Sequence, residues 1–219
     1  MSLTCAVIPS PSAPDSGDSN DVPDFPKREI TGVILAGGRG RRVGGQDKGL
    51  LPVHGRPLVS HIIDALRPQV GSLLISANRN LGSYRAFGLP VVTDILGEYL
   101  GPLAGMASTM QGMNTPYLLT VPCDSPLVPL DLCARLYRDL KITAADVSVA
   151  HDGERMQPVF ALLRRPLLPD LLDYLENGGR KIETWYRAHR LVLSDFSDKP
   201  NSFLNINRSE ELGTLETTR

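Results

Sequence analysis

Val33-Ile34-Leu35-Ala36-Gly37-Gly38-Arg39-Gly40-Arg41-Arg42-Val43-Gly44-Gly45-Gln46-Asp47-Lys48-Gly49 sets an apolar run directly against glycines interspersed with arginines and closed by a lysine. A run of this kind reads as a buried strand, and its abrupt end at glycine reads as a loop. Glycines let the backbone come close to a ligand and turn its N–H groups toward it, while Lys and Arg bring positive charge. Together they point to a phosphate-bearing ligand. The loop is neither of the two commonest phosphate loops. Lys48 is preceded by Asp47 and followed by Gly49, so there is no Gly-Lys-Ser/Thr ending, and Val43 stands where a dinucleotide fingerprint beginning at Gly38 needs its third glycine. A tight strand-to-helix turn with a solvated basic face is the plainer alternative, and the four cations tip the balance against it.

Outward from this loop, short apolar runs alternate with amphipathic segments. Strands are expected at 31–36, 72–76, 90–93 and 117–121. Helices are expected from Arg56-Pro57, with Leu58, Ile62, Ala65 and Leu66 at helical spacing, and from Gly101-Pro102 to about Met113. The fold class that follows is α/β: a single three-layer, Rossmann-like domain with a mostly parallel central sheet. Its crossovers should be right-handed, and ligands should bind beyond the carboxyl ends of its strands. The second half predicts helices at 129–140, 166–176 and 180–188, strands at 146–150 and 158–163 joined by a turn at 151–154, and late strands at 191–193 and 203–206. Ser209 is an expected N-cap for a last helix.

Residues 1–28 are rich in Pro, Ser and Asp and are read as a disordered N-terminal extension, with the folded domain spanning 29–219. The net charge of -1 argues against a nucleic-acid binder and confines the basic signal to the loop. No run is apolar and long enough to span a membrane, and no signal peptide is apparent. The three cysteines, Cys5, Cys123 and Cys133, lack metal-ligand or disulfide-framework spacing, which suits a reducing cytoplasm.

Three carboxyl-end groups can carry chemistry. Asp124 follows the 117–121 strand through Pro122-Cys123; facing a phosphate loop it can ligate Mg²⁺, which takes one or two carboxylates together with phosphate oxygens, or it can cap the next helix. Asp94 can hold a ribose or base, assist a metal, or merely end its strand. Ser76 and Asn78 can read a base edge or form a turn. Lys48 and Arg42 are the expected phosphate contacts, one a point charge and the other a bidentate fork. Asp47 is expected to form no more than a surface ion pair. The histidines are too scattered for a metal site, and Ser125 and Cys123 lack the setting of a nucleophile.

With these motifs in place the chain resembles the molybdenum cofactor guanylyltransferase (MobA) family, a branch of the NTP-dependent nucleotidyltransferases of the nucleotide-diphospho-sugar transferase type. The likeness lies in Leu35-Ala36-Gly37-Gly38, Arg41 to Gly49, Gly55-Arg56-Pro57-Leu58, Ala77-Asn78-Arg79, Gly101-Pro102-Leu103-Ala104-Gly105, Pro122-Cys123-Asp124-Ser125-Pro126, His151 to Arg155 and Asn205-Ile206-Asn207. It implies transfer of GMP from GTP to molybdenum-molybdopterin, with pyrophosphate released and Mg²⁺ required. It also implies nucleotide contacts from Leu35, Ala36, Gly37 and Asp94, phosphate binding by Lys48 and Mg²⁺ on Asp124. Arg42, Gly45, Asn205 and Asn207 match positions tied to activity or to the pterin. Other cofactor-biosynthesis proteins and apo-molybdoenzymes are the further partners it suggests. The sequence departs from the family at Val43, usually Met, at Ser76, often Asn, and in its long N-terminal extension. A cytidylyltransferase of the same fold and a non-enzymatic cofactor-delivery protein are the competing readings.

Overall fold

A computed structural model describes residues 25–36, 47–95 and 101–206. Its frame is a seven-stranded sheet. The strands are β1 (Ile30–Leu35), β4 (Ser72–Ser76), β5 (Val91–Val92), β6 (Tyr117–Pro122), β7 (Val147–His151), β8 (Met156–Arg164) and β9 (Leu191–Asp195), in the spatial order β5-β4-β1-β6-β8-β7-β9. A separate two-stranded ribbon pairs β2 (Pro52–Val53) with β3 (Arg56–Pro57). β1 runs parallel to β4 and to β6, and β4 parallel to β5. β8 is antiparallel to both of its neighbours, whereas β9 is parallel to β7, so the sheet is mostly parallel.

The period-two alternation of the strands divides the core into two halves. Ile30 and Ile34 of β1, Leu119 and Val121 of β6 and Phe160 and Leu162 of β8 face one layer. There they meet α1 (Leu58–Leu66), through Leu58, Ile62 and Leu66, and α4 (Leu132–Ile142), through Leu132, Leu136 and Leu140. Val33, Leu118, Ala161 and Leu163 face the other layer, against Leu103, Met106 and Met110 of α3 (Pro102–Gly112), Leu171 and Leu175 of α5 (Leu168–Glu176), and Trp185 and Tyr186 of α6 (Ile182–Tyr186). A sheet covered on both faces needs continuous apolar strands, which is why β1 and β6 are buried along nearly their whole length.

α3 is buried on every side from Leu103 to Met110. Its two hydroxyl residues are accommodated by bonding back along the helix, Ser108 to the Ala104 carbonyl and Thr109 to that of Gly105, each at 2.8 Å. Gly101, with φ of 83°, makes the left-handed entry that Pro102 then converts to helix. Another buried polar group ties the layers together. Gln69 donates to the carbonyls of Ala65 and Pro129, both at 2.9 Å, and accepts at 3.0 Å from the N–H of Cys133 in the first turn of α4. Asp131 makes no capping bond to that helix, so Gln69 supplies the acceptor from another element.

Three regions differ from the sequence expectation. Arg56-Pro57, expected to open a helix, pair with Pro52–Val53 as β3, and α1 begins at Leu58. Residues 203–206 form no strand. Phe203 closes a 3-10 turn (Pro200–Phe203) and stacks edge-on against Phe160 and Phe196, with centroids 4.9 and 5.5 Å away. Burial of two ring contacts there replaces the pairing that a sheet edge would offer. Residues 25–28, placed in the extension by composition, join the fold: Phe25 is buried beside Tyr137, and Lys27–Glu29 make a short 3-10 turn leading into β1. The expected helix after Ser209 and residues 1–24 of the extension lie outside the described residues.

Candidate active site

The parallel register brings the functional strand ends to one edge. Leu35 stands opposite Ser76 on β4 and opposite Pro122 on β6. Beyond the ladder the same alignment continues, because the N–H of Ala36 donates to the Ser76 carbonyl at 2.8 Å and that of Cys123 to the Leu35 carbonyl at 3.1 Å. Leu35, Ala36, Ser76 and the Cys123-Asp124 pair are therefore fixed by backbone bonds of the central strands, which places them at the edge where an open α/β sheet binds ligands. Gly37 and Arg42, with Gly45 and Asn207, lie outside the described residues.

Lys48 opens a 3-10 turn at the loop's exit and sends its ammonium to the carboxylate of Asp124, with Nζ 3.0 Å from Oδ2. Both side chains are partly exposed, 27% and 17% respectively, so the pair stands at the surface of the edge and not inside the core. The carboxylate and the cation assigned to phosphate chemistry thus share one position. The chain behind Asp124 is also fixed: its carbonyl accepts from the N–H of Ile206 at 2.7 Å, and the neighbouring Ser125 hydroxyl bonds the Asn205 amide oxygen at 2.8 Å. Ser125 is fully buried and acts here as a tie.

Asp94, just past β5, is held by a reciprocal pair of bonds. Asn78 donates to its Oδ2 at 2.7 Å and accepts from its backbone N–H at 2.9 Å. The N–H of Ile95 donates to Ser108 on α3 at 3.0 Å, fixing the chain on the other side. Burial pushes the Asp94 carboxyl above the usual carboxylate range, opposed by the Asn78 bond. Ser76 is buried under α3, where Gly105 makes the approach possible: a Cβ there would lie 2.6 Å from the Ser76 hydroxyl and 2.9 Å from the Leu35 side chain.

Asp47 is the residue that sequence reasoning missed. It was expected in a surface pair, yet it is buried. Its Oδ1 accepts from the Tyr84 hydroxyl at 2.6 Å and its Oδ2 from the Asn80 amide at 3.0 Å, with the Arg79 guanidinium 3.6 Å away. Tyr84 lies on α2 (Leu81–Arg85), a helix too short to show periodicity. Asn80 stands just before that helix and Tyr84 within it, so no sequence pattern announces that the two share one carboxylate. Cys123 is a free thiol whose pKa is raised first by burial and then by Asp124 and Asp47, which leaves it protonated and unreactive.

A basic loop exit and a strand-end aspartate at the carboxyl edge of such a sheet are the equipment of a nucleotidyltransferase. Residues 32–192 match the model of the MobA-like NTP transferase domain, and the molybdenum cofactor guanylyltransferase of Cupriavidus necator is 50% identical over 194 residues, 86% of this chain and 97% of the relative. The chain belongs to the molybdenum cofactor guanylyltransferase family. The family member from Shewanella halifaxensis is 46% identical over 183 residues, 84% of this chain and 92% of its own. Among solved structures the fold resembles molybdopterin-guanine dinucleotide biosynthesis protein A of Archaeoglobus fulgidus, with a TM-score of 0.70, 19% identity, and coverage of 86% and 97%. It also resembles 2-C-methyl-D-erythritol 4-phosphate cytidylyltransferase of Thermus thermophilus, with a TM-score of 0.62, 15% identity, and coverage of 85% and 96%.

Proposed function

We propose that this chain transfers GMP from GTP to molybdenum-molybdopterin, giving the guanine dinucleotide form of the cofactor and pyrophosphate. The observation that carries the reading is the meeting of Lys48 with Asp124 at 3.0 Å on the carboxyl edge of the sheet. In the reaction a phosphate oxygen of the pterin attacks the α-phosphorus of GTP. The bond from that phosphorus to the bridging oxygen breaks, and pyrophosphate leaves with the electron pair. Such a transfer asks the protein for positioning and charge neutralisation, not for a covalent intermediate.

Lys48 supplies charge to the polyphosphate. The Leu35 and Ala36 backbone, held by the strand-end bonds, contacts the nucleotide, and the family motif assigns Gly37 to the nucleotide and Arg42 to the phosphates. Asp94, oriented by its two bonds to Asn78, lines the base and ribose side, and Ser76, buried beneath α3, backs the strand end beside it. Asp124 is the residue that would hold Mg²⁺. Among the described residues no three His, Cys, Asp or Glu side chains converge as a closed metal cage. One carboxylate fits this metal when substrate phosphate oxygens complete its shell. Mg²⁺ bound there supplies Lewis-acid neutralisation of the developing phosphate charge.

Among the described residues no helix is long and apolar enough to cross a membrane, and the free thiols of Cys123 and Cys133 support a reducing, cytoplasmic setting. Purified protein with molybdenum-bearing molybdopterin, offered GTP or CTP, tests the reading through pyrophosphate release. Release with GTP and formation of the guanine dinucleotide are expected; turnover with CTP alone overturns it.

A further inference from the structure

We infer that Asp47, clamped by Tyr84 and Asn80, is a positioning residue that sets the reach of Lys48 and thereby its placement on the nucleotide's phosphates. The inference deepens the proposed function and rests on its assignment of Lys48. Asp47 is the last residue before the 3-10 turn that carries Lys48, and its carbonyl accepts from the N–H of Leu50 at 3.0 Å. Its carboxylate is therefore attached to the turn at the point where the backbone changes direction. A side chain only 4% exposed that keeps a carboxylate must have partners for it. Here they come from the segment after β4 and from α2: the Asn80 amide, the Tyr84 hydroxyl and the Arg79 guanidinium.

The clamp has a second wall. Gly49 sits between Tyr84 and Cys123, so tightly that a Cβ would lie 2.6 Å from the Tyr84 hydroxyl and 3.3 Å from the Cys123 Cβ. Lys48 is thus flanked by Asp47, which is bonded to Tyr84, and by Gly49, which is wedged against the strand end that carries Asp124. Its stem starts from a backbone fixed on both sides. Asn80 reaches Asp47 from a left-handed backbone, φ 50°, a conformation that Asn tolerates better than most residues. Residues 78–80 serve both halves of the site: Asn78 orients Asp94, while Arg79 and Asn80 hold Asp47. A surface ion pair would be spared such construction. A misplacement of about 1 Å at a phosphate-binding charge is enough to lower turnover by roughly 10²-fold.

The test is a double-mutant cycle on kcat/KM for GTP, using Tyr84→Phe and Asp47→Asn, each alone and combined with Lys48→Ala. Thermal unfolding of each variant serves as the control for folding. Tyr84→Phe keeps the buried ring and removes one hydroxyl, so it reads the clamp even where Asp47→Asn folds poorly. Each single clamp variant is expected to lose roughly tenfold to a hundredfold, and to lose little more once Lys48 is absent. Losses that multiply with that of Lys48→Ala mean that the clamp acts on the fold at large, and they overturn the inference alone. A Lys48→Ala variant with kcat/KM near the parent's overturns the role of Lys48 and the clamp with it.

Discussion

Lys48 and Asp124 are 76 positions apart in sequence and 3.0 Å apart in space, Lys48 carried by the 3-10 turn Lys48–Leu50 and Asp124 standing just past the carboxyl end of β6. A cation and a carboxylate that neutralise each other here are two groups that a magnesium nucleotide would engage separately. Replacing Asp124 with Ala should therefore reduce guanine dinucleotide formation by roughly 10²-fold or more. Replacing Lys48 should weaken GTP binding. Because both side chains are partly exposed, loss of the pair itself should change stability by about 1 kcal/mol or less, so thermal unfolding beside a steady-state assay separates the two effects.

Gly105 is the point of closest approach between α3 and the strand ends. Gly105→Ala would set a methyl 2.6 Å from the Ser76 hydroxyl and 2.9 Å from Leu35. Overpacking of this kind costs about 1–3 kcal/mol, here by pushing apart two residues assigned to the nucleotide. A lowered unfolding midpoint together with weaker GTP binding by calorimetry is expected; unaltered affinity would show that Leu35 and Ser76 do not hold the base.

Gln69 offers a contrast, because its bonds lie within the scaffold. Gln69→Ala leaves the Pro129 carbonyl and the Cys133 N–H without their partner, at a cost of about 2–4 kcal/mol. Urea unfolding should report that loss, while kcat below the new transition should stay near the parent value.

Acid should act on the carboxylates in opposite directions. The Arg190 and Arg135 guanidiniums hold Asp146 and Asp198 below the usual carboxylate range. Their contribution is complete above the unfolded-state pKa and is lost as pH falls through the lower folded value. Asp94 is raised by burial, so its contribution is complete below the unfolded value of 3.8 and is lost as pH rises through the higher folded one. Asp94→Asn should accordingly remove a term that opposes stability at neutral pH. Midpoints of the parent and variant measured across the acid range should converge as pH falls toward 3.8; a constant gap would refute the assignment.

The strand ends were legible because chemistry and periodicity coincide there. The run from Val33 to Ala36 had to be a covered strand, and Asp94 and Asp124 each stood one turn past such a run. Asp47 could not be weighed the same way: its burial depends on Asn80 and Tyr84, 33 and 37 positions away, one just before and one within a helix of five residues. The apolar content of Phe203 and Ile206 suggested a strand, but periodicity cannot tell a residue that pairs in a sheet from one that packs against two rings. Phe25 was hidden inside a Pro- and Ser-rich composition, where a single aromatic carries too little weight to outvote its neighbours. Gly37 and Arg42, read from the same loop, stay with the proposal for the nucleotide.

The bond from the Ile206 N–H to the Asp124 carbonyl has a temporal meaning as well as a spatial one. During synthesis β1 can take its place between β4 and β6 before residues 205 and 206 exist, so this part of the scaffold precedes the pin that ties the Asp124 corner. A nascent chain would pass through a stage with the edge laid out and the Asp124 turn still untied. Closure of the Asp124 turn therefore waits on the last of the described residues, while the register of β4, β1 and β6 is set by residues that end at Pro122.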